Sequence, residues 1–68
     1  MKIEEAIVFI LVEAHHGMTA EQIADRINQR KLHIRKDGQP VSVRQVYAVI
    51  LRNPHTFCFS DGRIRLMM

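Results

Sequence analysis

The most reactive side chains in this 68-residue chain belong to four histidines and one cysteine. They are His15, His16, His33, His55 and Cys58. No pair of them has the order of a zinc finger, and no Cys-x-x-Cys is present. His55 and Cys58 have the spacing of half a site, but the second half is missing. Surface histidines and a small strand residue account for all five, so we expect no metal ion.

Catalysis is also not indicated by the sequence. The three glycines lie far apart, at Gly17, Gly38 and Gly62, so the chain has no glycine-rich loop that could hold a phosphate. A nucleophile with its base and orienting group needs a pocket. A chain this short buries only about 60% of its unfolded surface, which leaves little room for one. We therefore expect no catalytic residue, no cofactor and no small-molecule substrate.

The charges of the chain are divided between its two halves. Residues 1–25 contain one lysine and five acidic residues, a net charge of −4, whereas residues 26–68 contain nine lysines and arginines and two acidic residues, a net charge of +7. The total is +3, and the pI is near 9.6. A basic half of this kind is a candidate face for a polyanion, although a dipolar, solvated surface has the same composition.

Arginines recur on one face of a predicted third helix. Arg44, Ala48 and Arg52 fall together at 100° per residue, with Gln45 beside them. Arginine can bond guanine O6 and N7, glutamine can bond adenine, and alanine can contact a thymine methyl. The hydroxyl of Ser42 and the free N–H groups of the first turn suit a phosphate. A solvated helix face is the alternative, but the absence of acidic residues between positions 42 and 53 favours DNA.

Four further basic residues flank this helix in the sequence. Arg63 and Arg65 lie in a predicted hairpin and could reach an adjacent minor groove or backbone phosphates. Charges on exposed strand edges also discourage pairing with other chains, which is the alternative explanation for both. Arg35 and Lys36 lie in a loop before the helix, where they either contact phosphate or are solvated.

Helix signals predict the elements that position these side chains. Thr19 and Gln22 form a capping box at the start of a second helix, with Met18 and Ile23 as a hydrophobic staple. Gly17 is predicted to form the left-handed cap that ends the first helix. The apolar stripe of the first helix comprises Ile3, Ala6, Ile7, Ile10, Leu11 and Ala14.

The third helix has the same type of start signal. Ser42 and Gln45 form a second capping box, and Asn53-Pro54 ends the helix. Its buried face is predicted to comprise Val43, Val46, Tyr47 and Ile50. A hairpin with a tight turn at Gly62 follows, and strand alternation predicts that its core-facing side chains are Phe57, Phe59, Ile64 and Leu66.

Three helices followed by a hairpin are the elements of a winged helix-turn-helix, so we predict one small α+β domain over residues 1–68. Val8, Phe9 and Val12 widen the apolar stripe of the first helix. Either this helix lies centrally, or its second face meets a protein partner or a second copy of the chain. Met1 favours a true N-terminus, whereas the end of the chain directly after a strand leaves a missing remainder open.

Several segments resemble the HARE-type winged-helix family, which includes the N-terminal domain of the bacterial RNA polymerase delta subunit. They are residues 19–24 (TAEQIA), 32–41 (LHIRKDGQPV), 53–57 (NPHTF) and 62–66 (GRIRL). The resemblance covers nearly the whole chain and implies a winged helix with a role linked to transcription or DNA modification. We therefore predict a double-stranded DNA-binding module. A protein-interaction module without direct DNA binding is the alternative.

The sequence also carries information on location. One cysteine allows no internal disulfide, which fits a reducing compartment. The longest apolar run, residues 6–12, is much shorter than the about 20 residues that a bilayer span needs, and no signal peptide precedes it. We expect a cytoplasmic protein, or a nuclear one if its source has a nucleus, without membrane contact.

Overall fold

The computed structural model describes residues 1–67 and confirms the predicted α+β class. Three helices precede a two-stranded antiparallel hairpin, an arrangement consistent with a winged helix. The elements are α1 (Ile3–Ala14), α2 (Ala20–Arg30), α3 (Val43–Arg52), β1 (Phe57–Ser60) and β2 (Arg63–Leu66). We call the hairpin formed by β1, its turn and β2 the wing.

Side-chain caps start α2 and α3. At α2 the predicted capping box is complete, because Gln22 N donates to Thr19 Oγ1 (3.2 Å) and Thr19 N donates to Gln22 Oε1 (3.1 Å). At α3 only half of the predicted box forms. Gln45 N donates to Ser42 Oγ (3.1 Å), but the Gln45 side chain does not accept the return bond. The start of each helix is still where the sequence predicts it.

The end of α1 differs from the prediction. His15, with φ of 62°, is the left-handed cap, and its N–H donates to Leu11 O. Gly17 instead lies directly beneath the wing. A Cβ at this position would be 2.9 Å from Cγ of Arg65 and 3.2 Å from Cβ of Arg63. Gly17 is therefore needed for close packing and not for a positive φ.

The core is apolar and receives side chains from every helix and from both strands. Its buried members are Ala6, Ile7, Ile10, Leu11, Met18, Ala20, Ile23, Ala24, Ile27, Val41, Val46, Val49, Ile50, Phe57 and Ile64. The second face of α1 lies at the edge of this core, since Val8 packs half-buried against it and Phe9 and Val12 are exposed. Within residues 1–67 the Arg30 guanidinium lies over the Phe9 ring, but Phe9 and Val12 remain exposed, so packing inside the domain explains only part of the apolar width of α1.

The wing is fixed by its turn and by a third segment of chain. Asp61 (φ 53°) and Gly62 (φ 76°) form a two-residue turn with both residues at positive φ, as in a type I′ hairpin. On the other side of β2, Met18 N donates to Ile64 O (3.1 Å) and Ile64 N donates to Met18 O (2.7 Å). The wing is thereby tied to the segment between α1 and α2.

Candidate nucleic-acid interface

The predicted face of α3 is open to solvent. Arg44, Ala48 and Arg52 are all exposed, as predicted from their spacing. Arg52 Nε donates to Ala48 O (3.3 Å), so this side chain folds back along its own helix. Within residues 1–67 the salt bridges join Arg30 to Glu13 and Arg35 to Asp37, and neither arginine of α3 is paired with a carboxylate. The face therefore presents uncompensated positive charge.

The buried side of α3 is rotated relative to the prediction. Val49 joins Val46 and Ile50 in the core, and Tyr47, predicted to be buried, is 43% exposed. Tyr47 stacks on Phe59 of β1, with ring centroids 5.6 Å apart and an interplanar angle of 20°. Phe59 is on the predicted face of the hairpin but lies near its tip, beyond the core, which leaves it exposed too.

Gln45 is not well placed to read a base. The residue is half-buried, and Oε1 is shielded from solvent without a hydrogen-bond partner among the described residues. The Gln45 side chain therefore does not lie open beside Arg44, Ala48 and Arg52, and its contact with a base stays a prediction. Ser42 is exposed, and its hydroxyl oxygen already accepts the Gln45 N–H bond. The Ser42 hydroxyl proton is still available to a phosphate.

The loop before α3 uses one of its two predicted phosphate contacts for its own structure. Arg35 donates to Asp37 Oδ2 (2.7 Å) and to Pro40 O (3.4 Å), so it links the two ends of the turn. The N–H of Gln39 donates to Asp37 Oδ1 (3.0 Å), and this bond, with the nearby Arg35 guanidinium, lowers the pKa of the Asp37 carboxyl. Lys36 is exposed, and it is the residue of this loop better able to reach a phosphate.

Asn28 positions the start of α3, a role that helix periodicity and cap signals do not reveal. Its Nδ2 donates to Val41 O (2.9 Å), and its Oδ1 accepts from Val41 N (2.8 Å). The amide thus pairs with the main chain immediately before the Ser42 cap, as a neighbouring strand would. Asparagine has a low helix propensity, so its presence in the last turn of α2 was the available signal.

The two wing arginines lie apart from the α3 face. Arg63 Nη1 donates to Gly17 O (3.1 Å), and the Arg65 side chain packs over Gly17. Because side chains alternate along a strand, both point away from the hairpin face that carries Phe59 and Ile64. Phe59 contacts α3 through Tyr47. The structure therefore does not bring the wing arginines together with Arg44 and Arg52, and their predicted contact with a minor groove or with phosphates stays a prediction.

Residues 1–67 contain no group of three or more His, Cys, Asp or Glu side chains that could hold a metal ion. In the same residues, no helix has the length and apolar character needed to cross a bilayer.

Comparisons of the chain with models of protein families, with curated proteins and with solved structures found no match.

Proposed function

We propose that this domain binds double-stranded DNA with α3 in the major groove. The observation that carries the proposal is the uncovered α3 face, on which Arg44 and Arg52 flank Ala48 without a neighbouring carboxylate. In helix-turn-helix proteins the second helix of the pair contacts base edges, and α3 has that position in the chain. The resemblance to HARE-type winged helices favours the same function, in work linked to transcription or DNA modification.

The geometry ranks the predicted contacts. Arg44 and Arg52 are the candidates for base edges or phosphates, and Lys36 and the Ser42 hydroxyl are candidates for phosphate at the N-terminal end of α3. Arg63 and Arg65 would contact a phosphate or a minor groove only where DNA reaches the outer side of the wing. Gln45 contributes only if its side chain leaves its half-buried position, so we give it no role in the proposed complex.

A fluorescence-anisotropy titration with a random-sequence 20-bp duplex tests the proposal. We expect binding at low salt that weakens steeply between about 50 and 200 mM salt, because each neutralised phosphate adds about −0.9 to the log–log slope. Replacing both Arg44 and Arg52 by alanine should weaken binding at least about tenfold. The matched control removes two positive charges elsewhere, with Lys2→Ala and Arg26→Ala.

Two results contradict DNA binding through α3. One is the absence of binding at high micromolar protein in low salt. The other is an Arg44→Ala, Arg52→Ala variant that binds as well as the Lys2→Ala, Arg26→Ala control. Circular dichroism of each variant shows whether it is folded, and all four positions are exposed, so we expect the fold to persist.

A groove along α1 favours a second function, the docking of a protein helix. The groove has a volume of about 520 Å³. Its lining residues are Met1, Glu4, Glu5, Val8, Phe9, Val12, Asn53, Thr56 and Phe57. The floor is apolar, and the charged side chains among these lining residues, Glu4 and Glu5, are acidic. We propose as occupant a positively charged amphipathic helix of another protein, whose apolar face would fill the floor.

Amide chemical shifts measured with a synthetic amphipathic peptide of leucine and lysine test this second function. We expect changes at Val8, Phe9 and Val12 that disappear in Val12→Glu and are not produced by a matched leucine–glutamate peptide. Equal responses to both peptides, or no response, contradict it. A doubled mass in light scattering that reverts in Val12→Glu would instead assign the groove to a homodimer.

A further inference from the structure

The exposed face of α3 is more apolar than a purely electrostatic DNA contact requires. Tyr47, Ala48 and Leu51 lie on it at helical spacings of three and four, and Phe59 of the wing extends it through the aromatic stack. Leu51 is 72% exposed. We call these four residues the α3 apolar strip. The other hydrophobic residues of α3 are buried or half-buried, so such a strip indicates a contact with something outside the domain.

The charges around the strip restrict the chemistry of its partner. Arg44 and Arg52 lie at its two ends, and no acidic residue occurs between positions 39 and 60. The acidic residues of the chain are concentrated in residues 1–25, that is, in α1 and α2. These charges therefore favour a negatively charged partner. The partner must also present apolar groups on a surface that can accept one face of a helix.

The major groove of DNA meets both requirements, negative charge and apolar groups, and it does so with a single kind of apolar group. Its floor consists of hydrogen-bonding base edges and one apolar group, the C5-methyl of thymine. A leucine placed against a polar base edge removes water from that edge without replacing its hydrogen bonds, which is unfavourable. Against a thymine methyl the same leucine gains apolar burial. A helix in the major groove whose exposed face is apolar thus discriminates between bases chiefly through thymine methyls.

We propose that the α3 apolar strip selects sites by contact with thymine methyl groups, with Leu51 and Ala48 as the specificity-determining residues. This inference rests on the proposed function, since it needs α3 in the major groove. The stack on Phe59 fixes the Tyr47 ring, one helical turn before Leu51, ahead of any ligand, so less side-chain freedom is lost on binding. Arg44 and Arg52 supply the affinity for phosphates or guanines at either end of the strip.

The removal of thymine methyls alone tests the inference. Uracil keeps every hydrogen-bonding group of thymine and lacks only the C5-methyl, so we compare an alternating A·T duplex of 20 bp with the same duplex in which uracil replaces thymine. Each buried methyl contributes about fourfold to affinity. We therefore expect the wild-type domain to bind the thymine duplex about four- to twentyfold more tightly. Leu51→Ala should lose most of this ratio and keep salt-dependent binding.

The controls distinguish a failure of thymine-methyl selection from a failure of the proposed DNA binding. Val12→Ala, an apolar truncation on α1 outside the strip, should keep the wild-type ratio between the two duplexes. Equal, salt-dependent binding of both duplexes by the wild-type domain overturns thymine-methyl selection and leaves DNA binding in place. An unchanged ratio in Leu51→Ala also overturns it. The absence of binding to both duplexes overturns the proposed function as well.

Discussion

The amide of Asn28 is predicted to be one of the most sensitive side chains of this domain. It makes two hydrogen bonds to the main chain of Val41, of 2.9 and 2.8 Å, and both are partly shielded from water. Val41 itself is buried, and Ser42, the next residue, caps α3. Asn28→Ala removes both bonds, adds no bulk and leaves a main-chain donor and acceptor without their partners.

The expected loss of stability follows from these two groups. A typical hydrogen bond contributes about 0.5–1.5 kcal/mol net, and an unsatisfied buried group costs about 1–3 kcal/mol. Because water reaches this site in part, we expect Asn28→Ala to lower the free energy of unfolding by about 2 kcal/mol in total. A domain of this size has roughly 3–10 kcal/mol of stability. The midpoint of thermal unfolding should therefore fall by roughly 8–16 °C.

Urea and thermal unfolding, followed by circular dichroism, measure this loss. Gln29→Ala is the matched control, because Gln29 is the next residue of α2 and is exposed, and it should change stability by less than about 0.5 kcal/mol. If Asn28→Ala is as stable as Gln29→Ala, the amide does not hold the start of α3 and the reasoning fails. At a temperature where the variant is folded, its DNA affinity should also fall, because the start of α3 has lost its hydrogen bonds to Asn28.

Three further predictions concern turns and close contacts. Gly17→Ala should cost about 1–3 kcal/mol by overpacking against the wing, and Arg65→Ala in the same chain should relieve part of that cost in urea titrations. Gly62→Ala should cost about 1–2 kcal/mol because of its positive φ, with no relief from Arg65→Ala. A carboxyl NMR titration should give Asp37 a pKa below its ordinary value, and Arg35→Ala should raise it only partly, since the Gln39 bond persists. The Asp37 carboxylate thus stabilises the loop above its ordinary pKa, and this contribution disappears as pH falls through the lowered value.

Local chemistry made the elements of this fold predictable. The cap residues Thr19 and Ser42 act through bonds to the N–H groups of residues three positions later, so a short stretch of sequence contains all the information. The turn at Asp61-Gly62 is similar, because two consecutive residues at positive φ restrict the residue types strongly. Each of these features is decided within four residues, and the structure confirms each one.

Features that depend on distant parts of the chain were not predictable in the same way. Gly17 was predicted to be a cap, but its role depends on the wing, more than 40 residues later. Tyr47 was predicted to be buried because periodicity alone does not show where the core ends. Its ring lies at the edge of the core, half exposed, and stacks on Phe59. Helical spacing still predicted the exposed position of Arg44 and Arg52.

The small size of the domain explains why some large apolar side chains remain exposed to solvent, but it does not explain their positions on the surface. A short chain cannot bury all of its hydrophobic residues, and single exposed ones need no explanation. Most of the large hydrophobic residues that are exposed here belong to two surfaces, the α1 groove with its acidic residues and the α3 apolar strip between two arginines. Surfaces of opposite charge should bind different partners. If so, Val12→Glu should leave the thymine preference unchanged and Leu51→Ala should leave peptide binding unchanged, because distant sites contribute independently. A shared loss in both variants would show that one ligand covers both surfaces.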